Sequence, residues 1–242
     1  MCGAGAGLIA SILPPTCYHP AGLFCSGPQR KMRTLYGITP SRAFRPLWVL
    51  EELGLDYRQV GVDYRGAALE DPAYLALNPN GRIPTLVDDD LVLWESMAID
   101  LYLARRYAGD RGLWPDTIQG EALTWQWSFW VMGEIEHPLL SVLMHRRLLP
   151  EPRRDAAKVS RNLGLLQRPF DVLERALEGR RYLIDDRFTI ADLNVAAVMS
   201  WCLPARVPLH DHPSTRDWLG RCLARPARKR AQKAVPATSP PT

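Results

Sequence analysis

Apolar positions switch between strand and helix spacings in the first half of this 242-residue chain and keep helical spacing through the second. Arg33–Ile38 (RTLYGI) is a short β-type run that Pro40-Ser41 breaks. From Arg42 to Leu53, Ala43, Leu47, Leu50 and Leu53 recur at steps of 4, 3 and 3, one face of an α-helix. Gly54 stops that helix, and Pro46 fits it only in the first turn. Tyr57–Asp63 predicts a second strand, weakened by Gly61, and Asp71–Leu77 a short helix. Pro84–Val87 and Leu91–Trp94 read as a hairpin around the acidic turn Asp88-Asp89-Asp90. Ser96–Tyr107 is helical, with Ile99, Tyr102, Leu103 and Arg106 along one side. The order β-α-β-α-β-β-α suits a small α/β domain whose helices cover a four-stranded sheet.

Residues 108–117 (AGDRGLWPDT) form a linker by their Gly, Asp and Pro content. Everything after it is helical. Ile118–Arg147 is long and aromatic, and Val159, Leu163, Leu166, Phe170, Leu173 and Leu177 form a packing stripe that Pro169 is expected to bend. Thr189-Ile190-Ala191-Asp192 is a capping box, with Phe188 and Leu193 placed for a hydrophobic staple.

Charge changes the picture only at the ends. Of the net +4, residues 1–31 carry +2 and residues 224–242 carry +5, leaving the rest at −3. Basicity therefore says little about what the folded body binds. Residues 1–31 read as a disordered leader or a non-native extension, with Met32 as a start. Residues 224–242 read as a disordered basic tail without aromatics for base stacking, so no nucleic-acid role is expected. No apolar stretch is long enough for a membrane span. Five cysteines without a C-x-x-C pair argue against a disulfide framework or a zinc site, and fit a reducing cytoplasm.

The densest chemistry lies in Asn78–Ser96 (NPNGRIPTLVDDDLVLWES). Pro84 opens a strand without an N–H for the ladder, so the backbone there makes a non-standard corner. Ser96 opens a helix whose free N–H groups offer an anion site. Together they suggest capture of an extended small peptide bearing carboxylates.

Four segments, in order, carry a resemblance: LYGITPSRAFRPLWVLEELGLDY, NPNGRIPTLVDDD, LWESMAIDLYLARRY and FTIADLNVAAV. With them the chain resembles the cytosolic glutathione S-transferase family, of a serine-type, bacterial-like kind, over about Arg33 to Leu223. The resemblance implies an α/β plus all-α chain: a thioredoxin-like N-terminal domain (32–107), then an all-helical C-terminal domain (118–223). It implies glutathione as co-substrate, a cis Ile83-Pro84 bond, and Ile83 pairing its backbone with the cysteinyl part. Arg82 would hold the glycyl carboxylate, and Glu95 and Ser96 the γ-glutamyl end, where the plain alternative is an ordinary N-cap beside a surface acid. Ser41 fills the place of the sulfur-facing hydroxyl, Thr39 is its rival, and Ser41 as a simple helix cap stays open. Tyr36 reads as structural. Trp125 and Trp130 would line a pocket for a small hydrophobic electrophile, and the family implies a homodimer. The expected reaction is thiolate addition to that electrophile. Alternatives are a glutathione-dependent peroxidase or disulfide reductase, or a non-catalytic interaction module.

Overall fold

A computed structural model describes residues 32–63 and 66–236, so the leader expected at 1–31 lies outside the described residues. Strand β1 (Arg33–Tyr36) leads into helix α1 (Phe44–Leu53), then β2 (Tyr57–Val60), α2 (Pro72–Leu77), β3 (Thr85–Asp88), β4 (Leu91–Trp94) and α3 (Ser96–Tyr107). The sheet order is β2-β1-β3-β4, with β1 parallel to β2 and the other pairs antiparallel. This is the mixed four-stranded sheet that the sequence pattern implied, in the thioredoxin-like arrangement that the resemblance implied.

Side chains alternate across β1 as a pleated strand requires. Leu35 is buried in the main core with Leu47, Leu50, Leu86, Ile99 and Leu103, whereas Tyr36 joins Val60, Val62 and Tyr74 in a second cluster. Tyr36 is thus a packing residue, its ring 5.9 Å from that of Tyr74. Pro46 is the third residue of α1, where its missing N–H would have had no helical partner. Gly54 closes α1 in the left-handed region at φ 53°, which glycine adopts without a Cβ penalty. The hairpin turn is Asp89-Asp90, because Asp88 pairs with Leu91, and Asp89 takes a φ of 55° that aspartate tolerates.

The helical half begins with α4 (Ile118–Trp130) and continues through a π-helical turn (Val131–Glu136) into α5 (His137–Leu143) and a second π turn (Met144–Leu148). Pro138 explains the first π turn: it cannot donate back into the preceding turn, and a wider turn absorbs the lost bond. Then follow α6 (Ala156–Leu177), α7 (Ile190–Met199), α8 (Cys202–Ala205), α9 (Pro213–Leu223) and α10 (Pro226–Lys233). Pro169 lies inside α6, which runs uninterrupted over 22 residues. Among the described residues no helix is long and apolar enough to cross a membrane.

Residues 226–233 correct the expectation of a disordered tail. Ala227 and Ala231, four apart, are buried, and α10 packs on α1. Arg225 forks onto both oxygens of Glu52, at 2.5 and 2.8 Å, and covers the Phe188 ring at 3.9 Å. Arg230 binds the carboxylate and the carbonyl of Glu51. The segment looks unpaired in the sequence because its acidic partners lie 173 and 179 residues away along the chain, on α1. Arg225→Ala leaves the 9%-exposed carboxylate of Glu52 without its cation and with the Trp48 Nε1 donor at 2.9 Å, so stability should fall by about 1–3 kcal/mol in denaturant unfolding.

Candidate functional site

The site forms where the start of β3, the head of α1 and the head of α3 meet. Its first corner is Arg82-Ile83-Pro84, with a cis Ile83-Pro84 bond. The Arg82 carbonyl accepts from the Tyr74 hydroxyl at 2.6 Å and from Asn78 Nδ2 at 2.7 Å. The same two groups reach Thr85 Oγ1 at 3.0 and 3.2 Å. Asn78 is buried and spends its own oxygen on Asn80. Burial raises the Tyr74 pKa, which keeps the phenol a neutral donor. Tyr74, Asn78 and Thr85 therefore hold the corner from beneath. Sequence reasoning missed them, although the buried role of Asn78 has a signal in the NPNG turn. Arg82 stays exposed, Ile83 half-buried and Pro84 buried.

Gly37 ties this corner to α1. A Cβ there would stand 2.6 Å from the Ala43 Cβ and 3.5 Å from the Ile83 Cβ, and its φ of 140° disfavours any side chain. Only glycine lets the end of β1 slide between the head of α1 and Ile83.

At the head of α1, the half-buried Ser41 hydroxyl donates to the Ile38 carbonyl at 2.6 Å and accepts from Ala43 N–H at 3.1 Å. Thr39 is engaged elsewhere: its hydroxyl donates to the Ala234 carbonyl, just beyond α10, at 3.0 Å. The two candidate hydroxyls thus have different surroundings, and the segment that occupies Thr39 is one the sequence left as tail.

The head of α3 carries the third corner. Glu95, not Ser96, is the N-cap residue, exposed and at φ 73°. A non-glycine residue held there stores about 1–3 kcal/mol of strain, typical of functional corners. Ser96 is the first helical residue and is 3% exposed. Its hydroxyl oxygen accepts from Arg45 Nη1 at 3.0 Å. Arg45, one turn along α1 from Ser41, is itself 2% exposed.

The helical domain reaches this cluster through Met132, Glu136 and Trp201. Glu136 binds Arg45 Nη2 at 2.8 Å and Arg42 Nε through its other oxygen. Met132 Sδ lies 3.4 Å from Arg45 Nη1, and the Trp201 ring 5.3 Å from the Arg45 guanidinium. Burial lowers the Arg45 pKa, and Glu136 opposes that shift. Asp100, one turn beyond Ser96, is fully buried with both oxygens unpartnered, and burial pushes its pKa well up against the pull of Arg45.

Trp125 and Trp130 do not share a pocket. Five residues along an α-helix set them about 140° apart around its axis. Trp125 is 45% exposed, and Trp130 packs edge-on against Trp127 at 5.0 Å.

Fold and site together define a thioredoxin-like domain with a helix that opens on a buried serine, closed on one side by helices. A family model for the glutathione S-transferase N-terminal domain matches residues 32–105, and one for the C-terminal domain matches residues 133–226. Glutathione S-transferase 3 of Zea mays is 36% identical over 219 residues, spanning 86% of this chain and 96% of the relative. Glutathione S-transferase GstB of Escherichia coli (strain K12) is 31% identical over 199 residues, spanning 81% and 95%. The structure of glutathione S-transferase-I bound with lactoylglutathione aligns at a TM-score of 0.76 and 28% identity, covering 84% of this chain and 99% of that one. The chain belongs to the glutathione S-transferase family and is an enzyme of that class.

Proposed function

We propose that this enzyme binds glutathione across the three corners, activates its thiol as thiolate, and adds it to an apolar electrophile. The observation that carries this reading is Ser41 at the mouth of α1, bound to the N–H of Ala43, whose side chain packs across Gly37 from Ile83. Ile83 pairs its backbone with the cysteinyl part, Arg82 takes the glycyl carboxylate, and Glu95 and Ser96 take the γ-glutamyl end. The Ser41 hydrogen, now on the Ile38 carbonyl, turns to the sulfur by rotation about Cβ–Oγ, while Ala43 N–H keeps holding the oxygen. The helix dipole of α1 adds to that stabilisation. The electrophile approaches along Met132 and Trp201, which flank the Arg42–Arg45 turn.

Among the described residues no thiol stands at the head of α1, which favours conjugation over disulfide reduction. Cys202 and Cys222 are buried, and burial pushes the Cys202 thiol up to about 12. Such thiols are poor nucleophiles, and free thiols fit a reducing cytoplasm. The test is binding of residues 32–242 to immobilised glutathione, and conjugation of glutathione to a dinitrohalobenzene. Absence of both would overturn the reading.

The proposal includes a homodimer. Ile118, Trp125 and Phe129 lie on one side of α4 at 82%, 45% and 67% exposure, and β4 exposes Leu91, Val92 and Trp94. Exposed apolar area of this kind marks an interaction surface, and a second copy of this chain is its occupant. Phe129→Arg is expected to convert a species of twice 27.3 kDa into one of 27.3 kDa in sedimentation. An unchanged dimer would remove this face from the interface.

A further inference from the structure

We propose that Arg45 and Glu136 are positioning residues through which the helical domain sets glutathione affinity, by fixing the Ser96 hydroxyl as a donor to the γ-glutamyl carboxylate. This rests on the glutathione-site reading above and extends it to two residues outside the binding corners.

A serine hydroxyl has one hydrogen and accepts through its lone pairs. Arg45 Nη1 donates to Ser96 Oγ at 3.0 Å. The Ser96 hydrogen must therefore point away from the guanidinium, toward an incoming acceptor. Donation from a cation also polarises the hydroxyl and strengthens the bond it gives in turn. The subsite so made suits a carboxylate and rejects a group that can only donate.

Arg45 holds this aim because its second nitrogen is fixed by Glu136 Oε2 at 2.8 Å, 91 residues away and 4% exposed. Arg42 occupies Glu136 Oε1, so one carboxylate answers two guanidiniums. Asp100 supplies no further answer. It makes no hydrogen bond, and burial favours its neutral form. The one carboxylate of Glu136 is thus divided between the buried Arg45 that touches Ser96 and the half-exposed Arg42. Glu136 sits at the end of the π-helical turn that precedes Pro138. The shape of the helical domain at that proline therefore enters the glutathione site of the other domain.

The test compares wild type, Glu136→Gln, Arg45→Lys, Ser96→Ala and the double variant Ser96→Ala/Glu136→Gln, each checked for folding by its thermal transition. The probes are glutathione and its analogue lacking the γ-glutamyl α-carboxylate. Glu136→Gln is expected to raise KM for glutathione about tenfold with kcat within about twofold, and to narrow the preference for glutathione over the analogue by the same factor. In the Ser96→Ala background it should add less than about twofold, because coupled residues lose their effect together. Arg45→Lys keeps the charge but spans only one of the two partners, so it should raise KM similarly even if Glu136→Gln fails to fold. Equal losses with and without Ser96, or an unchanged KM in folded variants, would overturn the proposal while leaving the glutathione site intact. Wild-type protein that binds no glutathione would overturn the site reading itself.

Discussion

Ser41→Ala is expected to lower kcat/KM for conjugation by about 10²–10³-fold, the usual cost of removing one preorganised donor to a reacting anion. Thr39→Ala should cost less than about threefold, because its hydroxyl is spent on the Ala234 carbonyl. The pH profile supplies a sharper readout. The reactive form is the thiolate, so activity rises with pH through the thiol's pKa in the site. A donor and a helix dipole favour the charged form and lower that pKa below the free value of about 8.5. Removing Ser41 should then move the midpoint of the rise upward by about one to two units, each worth about 1.4 kcal/mol. A larger loss for Thr39→Ala, or an unmoved midpoint in Ser41→Ala, would exclude Ser41 from the sulfur.

The largest effect on stability is expected at Asp192, far from the chemistry. Its side chain is fully buried at the start of α7 and accepts four hydrogen bonds. Oδ1 takes Leu183 N–H and Trp218 Nε1–H, both at 2.9 Å, while Oδ2 takes Thr189 N–H at 3.0 Å and the Thr189 hydroxyl at 3.1 Å. One carboxylate thus joins the start of α7 to the 183 segment and to α9. Asp192→Ala leaves the donors of Leu183 and Trp218 without a partner in a water-free setting, at about 1–3 kcal/mol each, besides losing the cap. A total of about 4–5 kcal/mol is expected, or about 10–15 °C in Tm for a protein of this size. Thr189→Ala should cost only about 1 kcal/mol, since the three N–H donors keep their carboxylate. Comparable losses for the two variants in denaturant unfolding would show that Asp192 acts only as a local cap.

Asp192 also marks how far the sequence reaches. The capping box is legible because its two members lie three residues apart, and spacing alone fixes their geometry on a helix. The bond from Trp218, 26 residues on, is not legible, because no local pattern records which buried N–H will meet the spare oxygen. The same contrast holds at the candidate site. Ile83-Pro84, Glu95 and Ser96 stand out because each is a local backbone event: a strand opened by proline, and a helix start. Tyr74 and Asn78, which hold the Arg82 carbonyl, read only as parts of a short helix and a turn.

By itself the sequence determined the element order, the hairpin around Asp88-Asp89-Asp90, the stop at Gly54, the capping box and the corner at 82–96, all through spacing and backbone preference within a few residues. Only the tertiary structure decided which partners share a place. It turned residues 226–233 into a helix on α1, where Glu51 and Glu52 answer Arg230 and Arg225 across 179 and 173 residues. It gave Thr39 a partner beyond that helix, left Trp125 exposed, and brought Glu136 under Ser96 through Arg45. Charge pairs and buried donors act over a few ångströms of space whatever their separation along the chain, so the fold must bring them together before either can be recognised.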